Sequence, residues 1–402
     1  MKSYSQKIFI LIITMLYSQL CKSQEPVFSQ HNRNLIFMNP AYSGLKNIGT
    51  FSSSMRQQWP SITSKFSTQT ISLDSPIIRK LSSSFSYIRN FEGEGFLISN
   101  YIRTGVSYPI PIIDRGSGFM TLKIGLEYQN YRRSVDWSKL IFLDELHPVK
   151  GNIYSSSFIP PLESVKAVED NFNFGFLLVS QTSHRKKNKK IRSNYNTYYV
   201  LGASAHNIVK RSDAFLSANY FIPRKTTVHG ELWWNKTNHI EKRSIWNKLS
   251  ILKHSFLYQQ QSIFKTLQLG VLETDFYPFN FGFFLRSQIS TIDNNQRRRE
   301  SVYFKIGFNK ITSRLNTNLS FSKDFTISSL RNNTSGTNEI VLTISTLKYG
   351  FFTNEINQKK KKIKNDIKTS CNFYKTSGFS GNLQKGEINP VLKNKTNKRG
   401  IF

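Results

Sequence analysis

Residues 119–128 read FMTLKIGLEY, and their spacing decides what kind of protein this is. Met120, Leu122, Ile124, Leu126 and Tyr128 share one side of an alternating chain, while Thr121, Lys123, Gly125 and Glu127 share the other. A period of two is the mark of a β-strand with one apolar and one polar face. The pattern recurs in SVYFKIGFNK (301–310), where Val302, Phe304, Ile306 and Phe308 oppose Tyr303, Lys305, Gly307 and Asn309, and in EIVLTIS (339–345), where Ile340, Leu342 and Ile344 share a side. Twelve further runs alternate, at 50–58, 65–73, 82–89, 97–108, 172–181, 195–205, 214–221, 226–234, 250–260, 265–273, 279–287 and 314–323. That makes fifteen candidate strands and no convincing amphipathic helix.

An all-β chain of this kind is either a soluble sandwich or a closed barrel. A sandwich core wants bulky aliphatics, whereas this chain is rich in Phe (32) and Tyr (18). Tyr87, Tyr101, Tyr108, Tyr131, Phe221, Trp233, Trp234, Tyr258 and Phe279 fall near strand ends, where a membrane barrel places its aromatic girdles. The polar face, with Lys123, Glu127 and Lys305, fits a wet lumen better than a dry core. The expected fold is a closed antiparallel transmembrane β-barrel. Such barrels in bacteria close with an even number of strands, so at least one of the fifteen runs is not a barrel strand. Tight turns point to hairpins of 214–221 with 226–234 across IPRK, and of 303–309 with 314–321. Residues 133–170 read as a long outer loop, and HRKKNKKIR (184–192) as a solvated turn.

The two ends read differently from the middle. Lys2 and Lys7 precede the apolar run Ile8 to Tyr17, and Ser23 stands before QEP, the pattern of a signal peptide cleaved at 23. The run is too short to span a bilayer as a helix, which takes about 20 residues. Cys21 follows SQL, which lacks the small residues that precede a lipidated cysteine. After cleavage Cys371 is the sole cysteine, so no intrachain disulfide forms. Loss of Lys2, Lys7 and Lys22 takes the formal charge from +32 to +29, which favours anionic partners such as nucleic acid, lipopolysaccharide or acidic polymers, although the scatter of the basic residues reads mostly as compositional drift toward Lys, Asn and Ile. Beyond about residue 354 the alternation stops, and 355–402 carries twelve Lys or Arg against three acidic residues. That composition reads as a flexible basic tail.

No catalytic constellation is present. His31, His147, His184, His206, His229, His239 and His254 show no metal-ligand spacing, and neither G-x-S-x-G nor a P-loop occurs. Glu92 to Gly95, EGEG, is too short a ligand ladder for calcium. No cofactor is implied, and no module orders the basic residues for nucleic acid. Asp136 with Trp137 and Arg56 with Trp59 each set a charge beside a ring that could anchor at an interface or touch a partner.

Taken in order, QEPVFSQHNRNLIFMNPAYSG (24–44), MRQQWPSI (55–62), SFSYIRNFEGEGF (84–96), LKIGLEYQNYRRSVDWSKLIF (122–142), YYVLGASAHNI (198–208), YFIPRKTTVHG (220–230) and the segment 320–345 resemble the PorP/SprF family of Bacteroidota. The similarity runs from Gln24 to Thr346, with the first phrase the most specific. It implies a fourteen-stranded outer-membrane barrel over 48–354, preceded by a lead-in over 24–47. It further implies a non-enzymatic role in type IX secretion or gliding motility, with secretion machinery and a secreted cargo such as a large adhesin as partners. The basic run near 184 and the lysine-rich tail depart from that pattern. A porin-like diffusion channel is the alternative that a polar lumen allows, and an outer-membrane enzyme is the more distant one.

The lead-in carries the candidate structural or partner-contact residues Asn39, Pro40, Ala41, Tyr42 and Gly44, to which Arg56, Trp59, Asp136 and Trp137 are added. Pro40 fixes its own φ and biases Asn39 toward extended backbone, and Gly44 permits a turn that other residues resist. Such a segment can fold back beneath or into the barrel, with Leu35, Ile36, Phe37 and Met38 covering apolar surface near the periplasmic mouth and Asn39 capping backbone. An ordinary lead-in turn is the plainer reading.

Overall fold

The computed structural model describes residues 25–346 apart from 63–65, 79, 94–96, 116–117, 138–139, 148, 150, 158, 160–164, 188–191, 211–220, 239–250, 277, 291–297, 313–314 and 328–334. The signal-peptide and tail readings therefore lie outside the described residues. In chain order the strands are β1 (Thr50–Gln58), β2 (Phe66–Ile78), β3 (Leu81–Glu92), β4 (Leu97–Arg115), β5 (Gly118–Ser134), β6 (Leu146–His147), β7 (Gly151–Asn152), β8 (Val165–Lys187), β9 (Arg192–His206), β10 (Lys225–Asn238), β11 (Ile251–Gln261), β12 (Phe264–Phe276), β13 (Phe279–Ser290), β14 (Arg298–Ile311), β15 (Leu315–Thr326) and β16 (Thr337–Thr346). β6 and β7 pair only with each other, and the other fourteen close into one antiparallel barrel. Closure is made by β1 on β16, from Thr50 opposite Ser345 to Gln58 opposite Thr337.

Burial runs opposite to that of a soluble sheet. In β5, Leu126 and Tyr128 are 49% and 42% exposed, while Lys123 and Glu127 are 3% and 1% exposed. In β14, Phe304, Ile306 and Phe308 face out and Tyr303 and Lys305 face in. An apolar outer band around a polar interior suits hydrocarbon outside, and a closed ladder leaves no unpaired edge within it. Among the described residues no helix is long and apolar enough to cross a membrane.

The ends of β1, β3, β5, β9, β11, β13 and β15 define one mouth, which carries the long connections 135–164 and 207–224. At the opposite mouth β2 gives way to β3, β4 to β5 and β12 to β13 within a few residues, and the chain enters β1. In bacterial barrels the long connections face outward and the short turns face the periplasm. The first is called the outer mouth below.

Four sequence-based expectations change. β10 has β9 on one side and β11 on the other, so no edge is left for a hairpin with 214–221, most of which lies outside the described residues. Tyr101, Tyr131 and Trp233 are buried inside, whereas Tyr108, Phe221, Trp234 and Phe279 are exposed. Adjacent residues of a strand point to opposite faces, so Trp233 and Trp234 cannot share a girdle. The connection after β5 is shorter than 133–170, because β8 already begins at Val165. Finally, the lumen is not an open wet space: residues 25–49 run through it.

Candidate functional site

The segment 25–49 is a strap inside the barrel, and its course follows from its partners. Glu25 lies near the outer mouth, where its backbone N–H donates to Gln261 Oε1 at 2.8 Å. Its carboxylate accepts from Asn207 Nδ2 at 2.7 Å and pairs with Lys225 at 3.2 Å and Arg103 at 3.6 Å. Burial alone would raise this acid, but Lys225 and Arg103 outweigh it and hold the pKa at about 2. Lower down, Glu339 accepts from the N–H groups of Ser29 at 2.6 Å and Gln30 at 3.3 Å and from Asn34 Nδ2 at 3.0 Å. Asn32 donates to Glu273, which is also paired with Lys305. His31 sits between Ser255 Oγ and Tyr303 OH, each at 3.4 Å, and its burial lowers the imidazole pKa to about 4.

Midway down, local sequence and barrel wall meet. Leu35–Met38 make one helical turn, and Pro40–Tyr42 a 3-10 turn with Pro40 at its first position. Asn39 caps that turn, its Oδ1 accepting from Ala41 N at 2.9 Å. Its Nδ2 donates to the wall carbonyls of Phe176 at 2.9 Å and Ala203 at 3.2 Å and lies 3.1 Å from His229 Nε2. The Tyr42 ring stacks on His229, with its hydroxyl 3.2 Å from Nδ1. Room for this comes from Gly125 on β5 and Gly175 on β8, which face each other across the ladder. A Cβ on Gly125 would fall 2.4 Å from Ala41 N, and one on Gly175 would fall 2.0 Å from Asn39 Oδ1. Met38, Ala41, Tyr42 and Leu45 pack into an apolar cluster with wall residues that include Leu177, Val179, Val200 and Leu257. Ser107 Oγ donates to Ser43 O at 2.7 Å, and Gly44, at φ +59°, donates to Asp74 at 2.8 Å before the chain turns toward β1.

The candidate residues thus separate. Asn39, Pro40, Ala41, Tyr42 and Gly44 come together in the middle of the barrel, deeper than the periplasmic mouth expected for this stretch. Arg56 lies buried opposite Glu339, the carboxylate that holds the strap. Trp59 follows β1 at the outer mouth, with φ +55°, its N–H on Gly336 O at 2.8 Å and its ring against Phe66. Asp136 and Trp137 stay in the long connection after β5, half-buried. Sequence reading missed Glu25, Gly125, Gly175, His229 and Glu339. The available signal was a glycine at an inward position within two strand patterns, which marks close approach of another backbone. Among the described residues no His, Cys, Asp or Glu group is placed to hold a metal.

Comparison with known proteins adds three findings. No curated protein matches in sequence. Solved structures with a similar course include the CymD monoaromatic hydrocarbon channel (9% identity, 78% of this chain and 92% of that chain, TM-score 0.33). The β domain of the Bordetella autotransporter BrkA (10%, 75% and 98%, 0.32) and a Pseudomonas aeruginosa FadL homologue (12%, 78% and 93%, 0.31) are others. The family model described as type IX secretion system membrane protein PorP/SprF matches residues 20–344, strap and barrel together, and the chain belongs to that family.

Proposed function

We propose that the chain is a non-enzymatic outer-membrane component of type IX secretion or gliding that supports secretion or surface attachment of a partner protein such as a large adhesin. It acts through its mouths and connections, not by passing that protein through its lumen. The supporting observation is the strap, which fills the middle of the barrel with Met38, Ala41, Tyr42 and Leu45. The membership in a secretion-system family supplies the partner class: secretion or gliding machinery and a secreted cargo, with outer-membrane lipid and lipopolysaccharide around the apolar band. Asp144, one of the loop carboxylates that could serve an enzyme, accepts hydrogen bonds from Ser156 and Ser157.

The test is a pull-down of the tagged chain from the native membrane in mild detergent. A large secreted protein should co-purify, and loss of the chain should remove that protein from the cell surface. Steady conductance of the whole chain in planar bilayers, with no co-purifying cargo, would favour the diffusion-channel alternative. A hydrolytic activity abolished by alanine at Asp136, Asp144, Glu145 and His147 would favour an enzyme.

A further inference from the structure

The strap is two pieces of different chemistry. From Leu35 to Ile48 it is a wedge whose Met38, Ala41, Tyr42 and Leu45 share an apolar cluster with the wall, around the hydrogen bonds of Asn39 and Gly44. From Glu25 to Asn34 it is held chiefly by charged and polar wall groups: Arg103, Lys225, Asn207 and Gln261 on Glu25, then Glu339 and Glu273 on the amides that follow. Phe28 is the apolar anchor of this outer piece, packed on Phe37 and grouped with Ile88, Tyr101 and Tyr131. The two halves differ in how readily they can leave. Removing the wedge would expose its apolar side chains to water with nothing to take the wall's place, whereas the outer piece's polar groups can exchange the wall's partners for water and leave the wall's charges to a matching chain. The outer piece also has its far end at the outer mouth, so it can peel away without being threaded back.

What it would leave is a site already shaped for an extended chain. Two cations, Arg103 and Lys225, converge on one carboxylate; an aromatic pocket lies three residues on; Glu339 then accepts two successive backbone N–H groups and Glu273 a side-chain amide. The charges are buried and matched to the segment that fills the site, so an empty site is costly and a substitute of like chemistry is favoured.

We propose that the outer half of the lumen is a peptide-binding site held shut by the chain's own residues 25–34. Its ligand is an extended segment of a partner protein with an acidic residue, an aromatic ring three positions later, and amide side chains after that. This rests on reading the chain as a partner-binding component and names the chemistry of the partner segment.

The test uses a synthetic fluorescent peptide, EPVFSQHNRN, with the purified barrel in detergent. A variant lacking residues 25–33 keeps the wedge and should bind the peptide at least 10-fold more tightly than the intact chain. A peptide with Gln in place of its Glu should bind that variant at least 10-fold more weakly. As a second variant, Glu25→Ala in the otherwise whole chain should raise peptide capture above that of the intact chain. The proposal is overturned if either variant, migrating as a folded heat-modifiable barrel, captures no more peptide than the intact chain, or if the Gln peptide binds equally well. Binding is read on purified chain, so the outcome is independent of whether any cargo reaches the cell surface in cells.

Discussion

The strap and the long connection 135–164 both lack barrel pairing, yet they are ordered by opposite means. The strap's bonds reach wall residues far away in sequence, such as Asn39 to Phe176 and Ala203, or Ser29 and Gln30 to Glu339. The connection closes on itself: Asp144 holds Ser156 and Ser157, Ile153 and Tyr154 donate to Glu145 O, and Val149 N donates to His147. Its Leu143 and Val149 stand 87% exposed, while Ala41 and Ser43 of the strap are fully buried. Irregular backbone is thus tolerated at membrane depth where barrel side chains satisfy it, and needs only local bonds where water does the rest.

Substitutions should separate the two regions, and the largest effect belongs to the strand glycines. Gly125→Val or Gly175→Val drives a side chain into Pro40, Ala41 or Asn39, and should cost about 3 kcal/mol by overpacking, measured as a fall in the urea midpoint of the refolded barrel. An unchanged midpoint would mean the strap is not seated there.

Acidification should weaken the strap next, in two windows. His31 is neutral when buried, with its pKa held at about 4, and an unfolded chain takes up a proton below about 6.5. Its contribution is complete above pH 6.5 and lost as pH falls to about 4, on the order of 2–3 kcal/mol. Glu25, held at about 2, adds a loss as pH falls from 4.5 toward 2. His31→Gln should reduce the loss in the upper window, to which the buried His206 and His229 also contribute, and leave the lower one.

Asn39→Ala should cost about 2 kcal/mol, since it removes a cap and leaves wall carbonyls without their donor. Asn39→Asp keeps the acceptor for Ala41 but buries a carboxylate against the carbonyls of Phe176 and Ala203, so it should cost more than Asn39→Ala. Smallest of all, Asp144→Asn in the connection should leave the barrel's unfolding midpoint unchanged and speed proteolytic nicking within 141–159. A shift of the midpoint would show the connection to be coupled to the barrel.

The barrel was legible because lipid on one side and polar groups on the other write a period of two into strands such as FMTLKIGLEY, whatever their neighbours. The NPAYSG turn was legible too, since Pro40, Asn39 and Gly44 act through their own backbones. Depth was not: nothing local distinguishes a turn beneath a barrel from one within it. Asn39 finds its wall partners 137 and 164 residues away. Tyr101, Tyr131 and Trp233 were misplaced for a related reason, because position along a strand was read and parity was not. Gly125 was assigned to the polar face of its strand, but its purpose appears only when Gly175 is set opposite and Ala41 against both.

The central claim is that this segment fills the lumen of a folded, lipid-facing barrel, and thiol protection tests it most directly. Ser43→Cys is a near-isosteric change at a fully buried strap position, made with Cys21→Ser and Cys371→Ser so that the chain carries a single thiol. In nanodiscs the folded barrel should resist a water-soluble maleimide and react only once denatured. Reaction at the denatured rate while the barrel still migrates as folded would contradict the account.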